Sequence, residues 1–205
     1  MHLSTALSLA LIWCALAAGC LPSNRVPMKI YYYTLAYQPL QVELKPTNAA
    51  ILVEHLSEAP GCNTDSMVYE PASNQLSEYA YHRWRATPGS LVASFILRDI
   101  RRSGLFRAAV DQMDLRTPAS YRLTGSVDEF FEQRGANGCS SVAVVTVSLL
   151  KENELDAVKR LLFQKTYREA IACEAQGHLA VAKAMSVAVS EISRRLIVDI
   201  NQAIN

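Results

Sequence analysis

Thr87 to Phe106 reads TPGSLVASFILRDIRRSGLF, and this stretch decides the fold. Thr87 offers a hydroxyl to the free amides of a helix start, and Pro88 at the first helical position gives up no hydrogen bond. Leu91, Phe95, Ile96 and Ile100 then recur on one face, the period of an amphipathic helix. Ser103-Gly104 ends it, because glycine takes the left-handed closing conformation without steric cost. A helix with one apolar face needs a surface to cover, so the segments on either side must supply it.

Both flanks read as strands. Before the helix, Gln75 to Trp84 alternates Leu76, Glu78, Ala80, His82 and Trp84 against Ser77, Tyr79, Tyr81 and Arg83. Ser66 to Tyr69, Ala50 to Leu56 and Ile30 to Leu35 are shorter β-rich runs, punctuated by Pro60-Gly61 and Pro71. After it come Leu105 to Val110, Tyr121 to Gln133, the turn Gly135-Ala136-Asn137-Gly138, Ser140 to Lys151, the polar turn Glu152 to Asp156, and Val158 to Ala172. The last three long runs, joined by short turns, predict an antiparallel meander. From about Gly177, Val181, Met185, Ala188, Ile192, Leu196 and Ile200 recur at three or four residues, a long closing helix. The expected class is α/β: two long amphipathic helices packed on a mixed sheet.

The amino terminus belongs to something else. Ala6 to Ala18 (ALSLALIWCALAA) is a nearly continuous apolar run, shorter than the roughly 20 residues a spanning helix needs and suited to the core of a secretion signal. Leu16-Ala17-Ala18-Gly19-Cys20 follows and resembles the bacterial lipobox, whose cysteine receives a diacylglycerol and becomes the first mature residue. An ordinary signal peptide with a chance cysteine is the alternative. The lipobox reading divides the chain into a signal at 1–19, a lipidated, proline-containing tether at 20–29 and a single domain at 30–205. It also implies attachment to a membrane. Leu21, where inner-membrane retention uses Asp, points to the periplasmic face of the outer membrane.

The mature part, about 185 residues, is enough for one domain with a sizeable core. The 205-residue chain carries a formal net charge of +1. Arg98, Arg101, Arg102, Arg194 and Arg195 fall on helices where solvated charge is the ordinary explanation, so no nucleic-acid partner is expected. Past the signal, which holds Cys14, and past Cys20, three cysteines remain. They show no metal-ligand spacing, and an oxidising compartment favours a disulfide. If the last hairpin turns near Asp156, Cys139 and Cys173 fall opposite each other; Cys62 is the rival partner for either, and three unlinked thiols the remaining alternative.

The familiar nucleophile, zinc-protease and phosphate-loop patterns are missing. His55, His82 and His178 are scattered; Glu152, Glu154 and Asp156 share a solvated turn; Asp128, Glu129 and Glu132 sit in a strand around Phe130-Phe131. No catalysis, metal or cofactor is expected. Tyr31, Tyr32, Tyr33 and Tyr37, with Tyr79 and Tyr81, join apolar area to a polar tip. They suit a lipid or partner surface, although packing on the sheet is the simpler account.

Met67-Val68-Tyr69, Tyr81-His82-Arg83-Trp84, Thr87-Pro88-Gly89-Ser90-Leu91 and Ser103-Gly104-Leu105-Phe106 stand in an order that resembles the ABC-type transport auxiliary lipoprotein family, which includes the paraquat-inducible protein C group. The early Tyr32-Tyr33-Thr34-Leu35 and the lipobox fit the same order. The likeness covers most of the mature chain and is concentrated between residues 67 and 106. It implies a three-layer α/β domain with a mixed, largely antiparallel sheet, similar to the amino-terminal domain of TolB. It implies a non-catalytic role beside MCE-domain lipid transporters: docking on or capping an MCE-protein tube, as a ring-shaped homo-oligomer. The matching positions, Tyr33, Leu35, Tyr69, Arg83, Trp84, Thr87, Pro88, Gly104 and Phe106, are implied to be structural. A lipoprotein that activates or assembles cell-wall or outer-membrane machinery is the rival reading, and a carrier that itself encloses acyl chains a third.

Overall fold

A computed structural model describes residues 28–39, 42–72, 74–113, 118–135 and 138–205. The signal segment, Cys20 and most of the tether lie outside the described residues, as does the middle of the turn after Gly135.

Helix α1 runs from Pro88 to Ser103, and Gly104 closes it at φ 70°. Its start is held differently from the expectation. Thr87 makes no side-chain cap; its hydroxyl turns to Ser90 Oγ at 3.4 Å. The free amide of Gly89 instead donates to Glu58 Oε1 at 3.1 Å, from a distant strand. Glycine is needed there because a Cβ would collide with the Leu56 carbonyl oxygen. The helix start is thereby keyed to the sheet rather than to its own cap.

The strands are β1 (Tyr31–Tyr33), β2 (Thr47–Val53), β3 (Ser57–Glu58), β4 (Ser66–Ala72), β5 (Gln75–Trp84), β6 (Phe106–Asp111), β7 (Tyr121–Gly135), β8 (Gly138–Lys151) and β9 (Leu161–Ala172). The 15-residue β7 is the axis. One edge pairs antiparallel with β8 from Tyr121↔Lys151 to Gly135↔Gly138, and β9 pairs antiparallel outside β8. The other edge receives three short parallel strands in succession: β2 at Tyr121 to Leu123, β3 at Ser126 and Val127, and β4 at Glu132 and Gln133. Outside these lie β6 beside β2, then β5 beside β4, then β1 beside β5. The mixed sheet is therefore antiparallel in its long ladders and parallel in most of its short ones.

Several boundaries differ from expectation for local reasons. β9 starts at Leu161 rather than Val158 because the Asp156 carboxylate accepts the Val158 amide at 2.9 Å and caps a single turn, α2 (Ala157–Arg160). β1 is only three residues long, since Leu35 leaves the sheet for the core. β3 has two residues and no readable alternation.

Helix α3 (His178–Ile204) buries Val181, Met185, Ala188, Ile192, Leu196 and Ile200, while α1 buries Leu91, Val92, Ile96, Leu97 and Ile100. Both rest on one sheet face, on Leu123, Val127 and Phe130 of β7, Ala143, Val145, Val147 and Leu149 of β8, and Tyr167 of β9. Each fully covered side chain of this size contributes about 1.5–3 kcal/mol. The opposite face carries Asp128, Glu129, Thr146, Thr166 and Arg168, with Thr146 Oγ1 bonded to Asp128 at 2.5 Å and to Thr166 at 2.8 Å. Polar residues suit water. The described residues thus form the α/β architecture expected from the sequence, two long helices packed on a large mixed sheet.

The last hairpin pairs Ser140 with Ala172, and Cys173 N–H donates to Cys139 O at 2.8 Å. Cys139 and Cys173 are joined by a disulfide with Cα atoms 5.5 Å apart, and Cys62 is a buried free thiol. The bridge closes a loop across 34 positions. Replacing both cysteines by Ser is expected to cost about 2–4 kcal/mol, by releasing that loop in the unfolded chain. Urea unfolding with and without reductant checks it: reductant should destabilise the parent chain and leave the double variant unchanged.

Candidate functional site at the amino-terminal edge of the sheet

The chain enters the domain through β1, an edge strand parallel to β5 in the register Tyr31↔His82 to Tyr33↔Trp84. Alternation places Tyr31 and Tyr33 on one side of that edge. Tyr31 stacks on His82 with ring centroids 5.3 Å apart, and Tyr33 O–H and His82 Nδ1 are 2.9 Å apart. Gly177, at φ 104°, turns the chain into α3 and delivers His178 onto the same spot. The imidazoles of His82 and His178 lie face to face, centroids 3.4 Å apart and planes within 6°.

The group continues inward. The Tyr79 ring meets His178 edge-on at 4.3 Å and packs against Tyr69 at 4.5 Å. Its hydroxyl donates to Glu132 Oε2 at 2.5 Å. Glu132 is only 6% exposed, and Arg134 Nε donates to its other oxygen at 3.2 Å. The Arg134 guanidinium lies 4.2 Å from the Tyr69 ring centroid and also bonds the Tyr79 hydroxyl. Burial, then the Glu132 carboxylate, pushes the Tyr79 phenol well above its ordinary range. One connected set of rings and charges thereby ties β1, β5, β4, β7 and α3 together. Beside it, a cavity of about 520 Å³ is lined by Glu132, Arg134, Gln176, Gly177 and the Cys139–Cys173 bridge.

The stacking leaves His178 sensitive to protons. Burial, then the neighbouring His82, holds His178 below its ordinary value, and its Nε2 is buried without a partner. A proton there would face His82, Arg134 and the positive end of α3, opposed by the Glu132 carboxylate. Because the folded value lies below the unfolded one, the unfolded chain takes up the proton first. Stability is complete above about pH 6.5 and declines as pH drops from there to the depressed folded value. Thermal melts between pH 5 and 7 should show that decline, and His178→Phe, which keeps a ring and removes the titration, should flatten it. An unchanged slope in the variant would remove His178 as the cause.

No group of three or more His, Cys, Asp or Glu among the described residues can hold a metal ion. His55 sits elsewhere, with Ser90 Oγ 3.5 Å from its Nδ1 and Glu58 Oε2 3.9 Å from its Nε2. That carboxylate already receives the Gly89 amide, so the trio belongs to the start of α1. Of the positions singled out in the sequence, Tyr31, Tyr33, Tyr69, Tyr79, His82, His178 and Glu132 meet in the cluster, and the disulfide borders its cavity. Arg83 turns away to Asp65 at 2.9 Å. Trp84 is buried edge-on against Phe130, ring centroids 5.2 Å apart. Leu35 is in the core, Thr87 and Pro88 open α1, Gly104 closes it, and Phe106 packs on Tyr121. The pairing of His82 with His178, and their link to Glu132 and Arg134, had no sequence signal, because these residues lie on unrelated elements that only the fold brings together.

Comparison with known proteins gives a consistent result. The family model described as the ABC-type transport auxiliary lipoprotein component matches residues 33–197. The crystal structure of protein XCC0632 from Xanthomonas campestris is similar at a TM-score of 0.69 and 19% identity, covering 82% of this chain and 92% of that one. The hypothetical protein CT253 from Chlamydia trachomatis is similar at a TM-score of 0.52 and 9% identity, covering 76% of this chain and 96% of that one. At these identities the likeness is one of fold. No curated protein matches the sequence.

Proposed function

The chain belongs to the ABC-type transport auxiliary lipoprotein family, and from that premise we propose that it is the membrane-tethered docking element of an intermembrane lipid transport system. The observation that carries this reading is the extent of the family match, which runs from β1 into the last turns of α3 and so takes in nearly the whole described domain. Cys20, in its lipobox-like setting, carries the acyl chains; Leu21 directs the protein to the periplasmic face of the outer membrane. No described helix is long and apolar enough to cross a membrane, and on this reading the acyl chains are the anchor. The domain performs no chemistry. It docks on the MCE-domain protein of an ABC transporter, as a ring of identical copies.

Isolation from native membranes tests this. The detergent-extracted chain, carrying an affinity tag, should bring down an MCE-domain protein in stoichiometric amount, and separated membranes should place it in the outer-membrane fraction. A cell-wall synthase or an outer-membrane assembly protein in place of the MCE-domain protein would replace the transport reading with a role in envelope assembly.

A further inference from the structure

The outer side of the entry strand is apolar where an edge strand facing water is normally polar. Met28 and Tyr32 are 67% and 59% exposed, and Ile30 and Tyr81 are 41% and 38% exposed. Met28 and Ile30 lie immediately before β1, Tyr32 alternates with Tyr31 and Tyr33, which turn toward the histidine pair, and Tyr81 immediately precedes His82 on the neighbouring strand. Lys29 stands among them, its ammonium 5.2 Å from the Tyr31 ring centroid.

We infer that Met28, Ile30, Tyr32 and Tyr81 form a second, non-covalent membrane contact that rests in the headgroup layer of the bilayer holding the anchor. This deepens the function proposed above and rests on its lipidated Cys20. The length of intervening chain names the occupant. Seven residues, Leu21 to Pro27, separate Cys20 from Met28, and at full stretch they span only about 25 Å. The patch therefore cannot leave the neighbourhood of the membrane, and tethering raises its local concentration so that even a weak contact is occupied. Tyrosines at both strands suit the interface, with rings in the apolar boundary and hydroxyls in water, while Lys29 meets anionic headgroups.

A second exposed apolar spot behaves oppositely. Leu155 and Val158 lie at the β8–β9 turn. That turn stands at the end of β7 and β8 where Tyr121 pairs with Lys151, whereas β1 pairs with β5, whose neighbour β4 meets β7 toward its other end, at Glu132. A 14-residue strand such as β8 measures about 45 Å. With the patch seated, the domain stands with its hairpin turn directed away from the anchoring bilayer, toward whatever docks on it.

The test uses the full, lipidated chain in vesicles of phosphatidylethanolamine and phosphatidylglycerol, with an environment-sensitive dye on Lys29→Cys or Leu155→Cys and a nitroxide-bearing lipid as quencher. The dye at 29 should be quenched at least threefold more than the dye at 155, and Ile30→Ser/Tyr32→Ser/Tyr81→Ser should erase the difference. Equal quenching at 29 and 155, or an unchanged difference in the triple variant, would overturn the inference even though the vesicles float with bound protein. Failure to float at all would instead bring down the anchor on which it rests.

Discussion

Asp99→Ala is expected to lower the unfolding free energy by about 3–5 kcal/mol, the cost of removing one member of a buried, hydrogen-bonded charge network. Asp99 lies on α1 and is 3% exposed. Its Oδ2 accepts the Tyr37 hydroxyl at 2.8 Å and the Ser193 hydroxyl at 2.7 Å, and its Oδ1 accepts Arg98 Nε at 2.8 Å. One carboxylate thus joins α1, α3 and the segment after β1. Burial, then the Asp99 carboxylate, holds the Tyr37 phenol far above its ordinary range. Removing the carboxylate leaves Arg98, which lies 4.4 Å over the Tyr37 and Phe95 rings, without its counter-charge, and the buried Ser193 and half-buried Tyr37 hydroxyls without that acceptor. Asp99→Asn keeps the shape and one acceptor oxygen and should cost less. Urea unfolding of the three chains checks the order; an alanine variant within 1 kcal/mol of the parent, against the penalty expected for breaking such a network, would contradict it.

The second large effect concerns attachment. With residues 1–19 replaced by a cleavable secretion signal and Cys20 replaced by Ser, the chain is expected to move almost completely from the membrane pellet to the soluble periplasmic fraction while keeping its melting temperature. Each buried methylene of an acyl chain contributes about 0.8 kcal/mol, so two or three chains hold a protein stably and none leaves only weak surface contacts. The tyrosine patch alone should give reversible binding that washes off. Transport that depends on the chain should stop with its release. Quantitative pelleting of the serine variant would show that something other than acyl chains holds the protein.

How far the sequence carries is clear element by element. α1 was readable from Pro88 to Gly104 and β5 from Gln75 to Trp84, because a helical period ended by glycine and a run of alternating residues are local signals. The meander is readable for the same reason, and a connection centred near Asp156 matches the register in which Ser140 faces Ala172. β3 was not, since two residues carry no period and its place is set by β7. The cap on α1 was assigned to Thr87, yet Glu58 supplies it across a long sequence separation. The candidate site was half legible. Its tyrosines stand out as a group, while His178 and Glu132 read as scattered polar residues and Arg134 carries no signal of its own; β7 and α3 deliver all three.

The intact mass of the chain extracted from native membranes is the decisive measurement. It should correspond to a polypeptide starting at Cys20, raised by one diacylglyceryl group and, on the amino terminus, a further fatty acyl group. A mature chain with an underivatised thiol at that position, or one cleaved past it, would show that the protein reaches its partner by some other attachment.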